Sequence, residues 1–553
     1  KVSQTRPLTI IYKPFQYPPS LATQEVQMSS HRTSLYLLVS FAFVLFSPMI
    51  SCHAAPTPLS SWCKNTPYPK QCEHYLSLNE ISPPIEAKSD FLNMMIKMAM
   101  KTAKTVHQDA YSLSIKSEDE REKAAWTDCL ELYDLAAQHL NQTMNTPAYT
   151  RADAQTWLSS ALTHFQTCLD GFNDLDVSKD MMPMSSHTNV SYLISNALAI
   201  NHQDGSPNNG TGLARDWTGF KDGFPRWVRP GDRRLLQSSS SYSQANIVVA
   251  KDGSGNYETI GEAISAASKS SGGGRVVLHI KAGIYKENVE IGSGLNNIML
   301  LGDGIGKTII TGSKSAGGGS TTYSSATVGV VGNGFIAQGI TFQNTAGPSN
   351  HQAVALRSNS DLSVFYKCSF EGYQDTLYVF SNRQFYRECD IYGTVDFIFG
   401  NAAVVMQNCN IYARPPPAGT NTITAQGRTD PNQNTGISIH NCRVTAAGNL
   451  NGAKTYLGRP WQKYSRTVFM KTYLDAIVDP KGWTEWSGNF ALTTLYYGEY
   501  SNTGPGSSTT NRVNWPGYHV ITSASEAGEF TVGNFIAGNS WLSKTDVPFT
   551  SGL

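Results

Sequence analysis

The 553-residue chain has almost no excess of charge of either sign. Lys and Arg total 43 against 42 Asp and Glu, a formal net charge of +1, so the overall field gives no argument for binding nucleic acid. Charged residues make up 15% of the chain and hydrophobic residues 40%, which is typical of globular proteins. The length exceeds that of one ordinary core, so two or three domains are expected.

Several familiar catalytic motifs are missing from the sequence. No GxSxG elbow occurs, and the twelve histidines show no metal-ligand spacing, so neither a serine hydrolase nor a zinc enzyme is supported. The stretch LGDGIGKTIITG looks like a phosphate-binding loop, but Leu301 stands where that motif needs glycine. We interpret the stretch as a turn and assign no nucleotide site.

Long hydrophobic runs are scarce. The clearest, Leu35–Phe46, is interrupted by a serine and soon followed by Pro48, so it is short for the alternative, a membrane-spanning helix. It follows a basic residue and precedes small residues, which is the layout of a secretory signal. We therefore predict that residues 1–54 are a leader and signal peptide, starting at Met28 and cleaved near Cys52–Ala55.

Cysteine is sparse, with nine residues in the whole chain. Secretion makes disulfides possible, and removal of Cys52 with the signal leaves an even set of eight. Cys63 and Cys72 are close enough in sequence to join the two arms of a hairpin by a disulfide. Cys129 and Cys168 lie on separate predicted helices and could tie them together.

Residues 59–204 are predicted to be helical. In SDFLNMMIKMAMKTAKTVHQDAYSLSI the apolar residues recur at three- and four-residue spacing, and three later segments are also predicted helices. Thr150 or Asp153 could cap the segment TRADAQTWLSSALTHFQTCLDGF. This pattern predicts an all-α four-helix bundle. N-glycosylation sequons begin at Asn141, Asn189 and Asn209.

A linker separates this helical region from the rest of the chain. Residues 205–236 are rich in Gly, Pro, Asn and Ser, as domain boundaries often are. The linker contains the consecutive residues Arg233, Arg234, Leu235 and Leu236. In a secreted chain we interpret them as a processing site, with a solvated basic loop as the alternative.

From Asn246 the sequence changes to short β-branched runs between glycines. The segments YKCSFEG, RECDIYG, QNCNIYA and HNCRVTA then repeat one pattern, with cysteines separated by 21, 20 and 33 residues. A period near 20 is typical of stacked coils. We predict an all-β right-handed parallel β-helix for residues 237–553. The alternative, an antiparallel sandwich, does not explain the constant cysteine position.

Two aspartates share one position in this repeat. Asp375 and Asp396 each lie seven residues after a cysteine, so neighbouring coils would bring them about one strand spacing apart, ~4.8 Å. Two close carboxylates cannot both ionise easily, which favours one acid and one base or nucleophile. The alternative is a pair of solvated turn aspartates.

The segment YLGRPWQKYS carries Arg459 and Trp461. Such an arginine could orient a carboxylate, and the indole could stack on a sugar ring. The alternative is a structural turn with a partly buried tryptophan. Gln352, entering a predicted strand, has no distinguishing context of its own.

Several blocks in the second part of the sequence resemble those of a known family. GFIAQGITFQNTAGPSNHQAVALR, GYQDTLY, GTVDFIFGNA, ITAQGRTDPNQNTGISIHNC and YLGRPW are similar to blocks of plant pectin methylesterases, carbohydrate esterases built on a right-handed parallel β-helix. The helical region resembles the pectin methylesterase inhibitor domain that forms the pro-region in this family. The Arg-Arg-Leu-Leu stretch resembles the family's processing motif.

The resemblance implies a role for each matching residue. Asp396 would be the nucleophile and Asp375 the general acid that then acts as base. Gln374 and Gln352 would stabilise the oxyanion, while Arg459 would orient the nucleophile and contact substrate. The substrate-binding residues would be Thr322, Gln352, Tyr378, Phe399, Arg459, Trp461 and Trp483. No metal or organic cofactor is implied.

The resemblance also bears on the cysteines of the second domain. Cys368 and Cys389 match the family's disulfide, with stacked free thiols as the alternative. Cys409 and Cys442 share the same coil position and are expected to stay reduced and buried.

The implied function is hydrolysis of galacturonate methyl esters in cell-wall pectin, with release of methanol through a covalent Asp acyl-enzyme. The pro-domain would keep the precursor inactive. The enzyme would be secreted to the cell wall, and its partners would be methyl-esterified homogalacturonan, a proteinaceous inhibitor and a processing protease. Neither nucleic acid nor stable membrane association is expected after signal removal.

The sequence gives less support to two other functions. A pectin lyase needs calcium-binding carboxylates and a basic proton abstractor, and a galacturonase usually needs three clustered aspartates; neither set is visible. A chain acting only as an inhibitor through residues 59–204 would require a broken catalytic set.

Overall fold

Helices fill the first part of the described chain and strands fill most of the rest. The computed structural model describes residues 58–78, 85, 87–114, 117–146, 149–179, 182–202, 220–221, 224–225, 245–269 and 274–553, and residues 58–553 form one unit. The predicted signal peptide, Asn209 and the predicted processing site at 233–236 lie outside these ranges. No helix within them is long and apolar enough to cross a bilayer.

The helical domain follows the predicted pattern. Its helices are α1 (Pro58–Lys64), α2 (Pro69–Leu78), α3 (Lys88–Ser114), α4 (Glu120–Asn145), α5 (Arg151–Asp174) and α6 (Met184–His202). The four long helices pack around a shared apolar core, which confirms the bundle. Thr150 caps α5 and Asp153 bonds back to it, so both predicted residues form one capping box.

Both disulfides suggested for the helical domain are present. Cys63 and Cys72 join α1 to α2, with their Cα atoms 5.5 Å apart. Cys129 and Cys168 join α4 to α5, with their Cα atoms 4.5 Å apart. The two bonds therefore link neighbouring helices in the way that the spacing predicted.

Strands of the second domain wind into three parallel sheets. A small antiparallel pair precedes them, β1 (Phe220–Lys221) with β2 (Phe224–Pro225). Sheet 1 contains β3 (Ile247–Val249), β4 (Val276–Ile280), β7 (Ile298–Gly302), β10 (Ile336–Gln338), β13 (Ser363–Tyr366), β16 (Arg383–Arg387), β19 (Ala403–Gln407), β22 (Gly436–His440), β25 (Arg466–Met470), β27 (Tyr496–Tyr500) and β28 (Tyr518–Val520).

The other two sheets complete each coil. Sheet 2 contains β5 (Gly283–Lys286), β8 (Thr308–Gly312), β11 (Thr341–Asn344), β14 (Ser369–Glu371), β17 (Asp390–Gly393), β20 (Asn410–Ala413), β23 (Arg443–Ala446) and β26 (Tyr473–Leu474). Sheet 3 contains β6 (Val289–Ile291), β9 (Val328–Val330), β12 (Leu356–Ser358), β15 (Leu377–Tyr378), β18 (Ile398–Gly400), β21 (Thr420–Gln426) and β24 (Lys454–Gly458). Apart from the first and last strand of each sheet, every strand of the three sheets pairs in parallel with strands of the coils before and after it. This confirms the parallel β-helix and excludes the sandwich.

The repeated cysteine position has a local cause. A tight turn joins sheet 1 to sheet 2 in each coil, and the residue before each cysteine has a left-handed backbone. These residues are Lys367, Glu388, Asn408 and Asn441, with φ between 51° and 57°. After this turn the chain points the cysteine inward, where its side chain joins the apolar core.

The expected disulfide between Cys368 and Cys389 is wrong. Both residues are buried and free, as are Cys409 and Cys442, so the alternative of stacked thiols is correct. Each thiol points at main-chain carbonyls: Sγ of Cys389 donates to the carbonyl of Phe365 at 3.4 Å. The four residues therefore act as small apolar groups in successive coils.

Short helices close the ends and one face of the coil. Helix α7 (Ile260–Ala267) adds its apolar side to the coil core. Helices α8 (Ala524–Gly528) and α9 (Val532–Phe535) follow β28. Val532 and Trp541 pack in one cluster with outward-facing apolar residues of sheet 1. This leaves the face formed around sheet 3 for the helical domain.

Candidate active site

The two predicted acids lie in adjacent coils. Asp375 lies two residues before the first residue of β15, and Asp396 lies two residues before that of β18. Leu377 pairs with Ile398 in the register of these strands. The backbone N–H of Asp375 also donates to the carbonyl of Val395 at 3.0 Å. The coil period therefore places the two carboxylates side by side, as predicted.

The turns that carry these acids are conformationally strained. Asp375 has a φ of 59° and Asp396 a φ of 51°, values that L-residues rarely adopt without support from their surroundings. Close approach between the turns requires glycine at 393. A Cβ atom there would lie 2.8 Å from the carbonyl oxygen of Tyr373 and 2.2 Å from Cβ of Phe397.

Asp396 is held by two side chains. Arg459 donates from Nε to Oδ1 at 2.9 Å and from Nη2 to Oδ2 at 2.6 Å. The hydroxyl of Thr422 donates to Oδ1 at 2.6 Å and accepts from the Asp396 N–H at 2.9 Å. These charge-assisted bonds fix the carboxylate in one orientation. Asp396 is 4% exposed, so few water molecules compete for it.

Asp375 is in a different electrostatic state. Burial raises the pKa of its carboxyl well above the ordinary value, and the nearby Asp396 and Asp174 raise this pKa further, while Arg459 lowers it. Asp375 is therefore favoured to hold the proton that the two adjacent carboxyls share. The arrangement can donate a proton from Asp375 and present an oriented carboxylate from Asp396.

The two predicted amides lie on neighbouring coils at this place. The N–H of Ala353, next to Gln352, donates to the carbonyl of Gln374 at 3.2 Å, and Gln374 directly precedes Asp375. Both glutamines are partly exposed. The structure thus brings Gln352 and Gln374 to the same end of the acid pair.

Aromatic side chains continue the site along sheet 3. The rings of Tyr378 and Phe399 stack with centroids 4.1 Å apart, and Phe399 lies 6.0 Å from the ring of Trp461. Thr322 is placed in the short turn before Tyr323–Ser325. These predicted residues lie on the face that the helical domain contacts.

The prediction that Trp483 lines the groove is wrong. Trp483 is fully buried in the coil core, where its ring stacks on Tyr497 and its Nε1 donates to Glu499. A ring enclosed there cannot line a groove. Trp486 is the tryptophan at the site instead, because the guanidinium of Arg459 lies 4.3 Å from its ring centroid.

Sequence reasoning missed Trp486 and Thr422. The signal for Trp486 was only a second tryptophan three residues after Trp483. The signal for Thr422 was its place in β21, the strand that pairs with β18 beside Asp396. Within the described ranges, no group of three or more His, Cys, Asp or Glu side chains is arranged to hold a metal ion.

The helical domain covers the groove beside this acid pair. Asp174, the last residue of α5, accepts a hydrogen bond from the backbone N–H of Thr322 at 3.0 Å. Asp128 of α4 accepts from the hydroxyls of Thr321 and Ser324. Carboxylates of the helical domain therefore accept hydrogen bonds from the N–H and hydroxyl groups of this turn.

A small cavity lies between the two domains along the aromatic side of the site. The cavity among Asp170 of α5 and Tyr378, Asn401 and Trp461 has a volume of about 10 Å³, enough for no more than about one water molecule. Apolar residues on the two sides, including Phe165 and Phe399, belong to one continuous buried cluster. No sugar ring fits in this space.

A second set of contacts between the two domains is ionic. Arg383 of β16 is paired with Asp361 at 2.7 Å and with Asp153 of α5 at 2.6 Å. Trp157 of α5 donates from Nε1 to Asp361 at 3.2 Å. Since Arg383 and Asp361 are 6% and 3% exposed, breaking this network would leave buried charges incompletely paired.

A profile of the Pectinesterase family matches residues 246–539, the stretch that contains both acids, both amides and Arg459. The chain belongs to the pectinesterase family. A second profile, Plant invertase/pectin methylesterase inhibitor, matches residues 57–200, which is the helical domain. These matches confirm both parts of the resemblance.

Individual relatives agree with this pectinesterase assignment. The chain is 60% identical over 526 residues to Pectinesterase 2 of Citrus sinensis, covering 94% of this chain and 100% of the relative. It is 60% identical over 500 residues to Probable pectinesterase/pectinesterase inhibitor 17 of Arabidopsis thaliana, covering 90% and 94%. The solved pectin methylesterase from carrot aligns with a TM-score of 0.55 at 58% identity, covering 56% of this chain and 98% of that chain. This chain is thus a carboxylic ester hydrolase with pectin methylesterase activity.

Proposed function

We propose that this pectinesterase hydrolyses galacturonate methyl esters in pectin through a covalent intermediate on Asp396. The observation that carries the proposal is the unequal acid pair. Asp396 is oriented by Arg459 and Thr422, whereas the pKa of the adjacent Asp375 is raised by burial and by Asp396 within the same domain. An oriented nucleophile beside a protonated acid is what ester cleavage with methanol departure requires.

In the first half-reaction, a carboxylate oxygen of Asp396 attacks the ester carbonyl carbon. The amide N–H groups of Gln352 and Gln374 stabilise the tetrahedral oxyanion. The carbon–methoxyl bond then breaks, and Asp375 transfers its proton to the departing oxygen, which leaves as methanol. The galacturonyl group remains joined to Asp396 as an acyl-enzyme.

The second half-reaction reverses the role of Asp375. Its carboxylate takes a proton from water while the water oxygen attacks the acyl carbon. Collapse breaks the bond to Asp396 and releases the product as a carboxylic acid, which loses its proton to solvent and becomes galacturonate. Asp375 has regained its proton. Thr322, Tyr378, Phe399, Trp461 and Trp486 would line the groove that holds the polymer.

The test is methanol release from methyl-esterified pectin by residues 237–553 alone. The carrot structure supports independent folding of this segment, because 56% of this chain covers 98% of the carrot chain. We expect methanol in proportion to new carboxylates, and shortening of the polymer without methanol would instead indicate a lyase or a galacturonase. A folded segment that releases no methanol from any pectin would refute the proposed function.

We further propose that the helical domain inhibits the enzyme in cis as a pro-domain. Its carboxylates, Asp174 and Asp128, occupy the donors around Thr322, and the remaining cavity is too small for a sugar. A protease would release the active enzyme by cleavage at residues 233–236. The partners are methyl-esterified homogalacturonan, this protease and separate inhibitor proteins.

Secretion to the cell wall is part of the same proposal. It is supported by the apolar run Leu35–Phe46 and by the two disulfides of the helical domain, since such bonds persist in oxidising compartments. Asn141 is exposed on α4 and Asn189 is partly exposed on α6. These two sequons, together with the one at Asn209, are the proposed glycosylation sites.

Closure of the pro-domain is expected to weaken as pH rises. Burial, together with Asp174, raises the pKa of Asp170 to about 7, and burial raises that of Asp128 to about 6. Because closure raises both pKa values from the ordinary 3.8, the closed state is stabilised fully below about pH 4. This stabilisation is lost progressively as the pH rises from there through 6 and 7. Burial lowers the pKa of His139 and His164. If opening exposes these residues, they gain protons more easily in the open state, and this favours opening at low pH.

The measurement is the ratio of full-chain activity to segment activity at each pH. We expect the ratio to rise from pH 4 to pH 7 and then to level off, and the segment corrects for the pH dependence of catalysis itself. The double variant Asp128→Asn, Asp170→Asn keeps neutral side chains at both positions and should flatten the rise. A ratio that does not change with pH would contradict the prediction.

A further inference from the structure

We propose that Arg414 is a positioning residue that sets the spacing between the turn carrying Asp375 and the turn carrying Asp396. This inference rests on the proposed catalytic roles of the two acids. Arg414 follows β20 in the coil after Asp396 and lies outside the acid pair. It therefore acts through the backbone of both turns.

Arg414 contacts both turns at equivalent positions. Its Nη1 donates to the carbonyl of Gly372 at 2.9 Å, and its backbone N–H donates to the carbonyl of Gly393 at 2.8 Å. Each glycine lies three residues before an acid, Gly372 before Asp375 and Gly393 before Asp396. One residue thus joins corresponding points of the two acid-bearing turns.

Aromatic rings hold the Arg414 side chain in place. Its guanidinium carbon lies 5.0 Å from the ring centroid of Tyr373 and 5.3 Å from that of Tyr392. Tyr392 in turn stacks on Tyr412, with centroids 4.6 Å apart. A cation between two rings is restrained more strongly than a free surface arginine.

Arg414 is also linked to the strand that carries Thr422, the residue whose hydroxyl binds the nucleophile. Its carbonyl accepts a hydrogen bond from Nδ2 of Asn421 at 3.1 Å. Asn421 is fully buried and directly precedes Thr422, whose hydroxyl binds Asp396. The bond therefore connects Arg414 to the strand that orients the nucleophile.

Both acid-bearing turns need such support because their aspartates have positive φ. The inner side is joined by the bonds from Asp375 N–H to Val395 and from Thr394 N–H to Tyr373. Arg414 is the corresponding link on the outer side. A change in the spacing of the acids would alter both proton transfer and the pKa of Asp375, which Asp396 raises.

The test compares Arg414→Met, Arg414→Lys and Arg443→Met in residues 237–553. Arg443 is the matched control, because it also lies over a tyrosine ring of sheet 2, 4.2 Å from Tyr473, but belongs to the next coil. We expect Arg414→Met to lower kcat by about 10- to 100-fold, the scale of small misplacements of reacting groups, with KM unchanged. Arg414→Lys, which can still donate to Gly372, should recover part of the loss.

A role in acid spacing also predicts a changed pH profile. The apparent pKa of Asp375 should shift in Arg414→Met, in the kcat profile and in a carbon-detected NMR titration of its carboxyl, and should not shift in Arg443→Met. Lower thermal stability with unchanged kcat and pH profile would overturn the inference, as would a rise in KM alone. If Arg414→Met does not fold, the same readouts on Arg414→Lys decide. Loss of methanol release in the wild-type segment would instead refute the proposed function.

Discussion

Asp396→Asn in residues 237–553 is expected to lower kcat for methanol release by about 10³-fold or more, the scale seen when a catalytic nucleophile is removed. The amide has nearly the same shape but cannot form the acyl-enzyme. It also loses the negative charge that pairs with Arg459 at 2.6 Å. KM should change little, because the aromatic residues of the groove remain.

The matched control is Asp390→Asn. Asp390 lies six residues earlier in the same coil, on β17, where it accepts a hydrogen bond from Asn410 at 2.8 Å. Its contacts lie along sheet 2, so kcat should stay within about twofold of wild type, as for most substitutions away from a site. Equal activities of Asp396→Asn and wild type would show that the nucleophile is another residue.

The second large effect concerns the pro-domain. The segment 237–553 should release methanol about 100-fold faster than the uncleaved chain, because closed domains leave no room for a sugar in the groove. A ratio of this size corresponds to a closed state favoured by about 2.7 kcal/mol. Two carboxylate contacts, the Arg383 ionic network and the shared apolar cluster all contribute to that preference.

Charge reversal at the helical-domain residues that contact the catalytic domain should relieve the inhibition without cleavage. In the uncleaved chain, Asp128→Arg with Asp174→Arg removes both acceptors and places cations against Thr321 and Thr322. Activity should rise toward that of the segment. Asp134→Arg is the control, since Asp134 is exposed and accepts a hydrogen bond from Gln138 of its own helix. An uncleaved wild-type chain as active as the segment would contradict inhibition in cis.

The acid pair could be predicted because the fold is periodic. A residue that recurs after one coil must lie beside its counterpart, so the shared offset of Asp375 and Asp396 from Cys368 and Cys389 was enough to place them together. The offset itself comes from a turn with a left-handed residue before each cysteine. Local backbone geometry thus connects the sequence repeat to the site.

Prediction failed where this period is interrupted. Trp483 and Trp486 lie in the long loop between β26 and β27, where no repeat indicates which ring faces inward. Thr422 lies within the insertion that lengthens the interval between Cys409 and Cys442, so the period did not predict its pairing beside Asp396. The thiols of Cys368 and Cys389 have the right separation along the chain for a bond, and only their surroundings show that both are free.

The sequence by itself determined the two domains, the coil period and the identity of the acids, since each depends on spacing along the chain. The tertiary structure alone decided how the domains meet. Asp174 and Thr322 are 148 residues apart, and no periodicity relates a helix to a coil. Their contact depends on complementary shape, charge and hydrogen bonding between two surfaces that form only after each domain has folded.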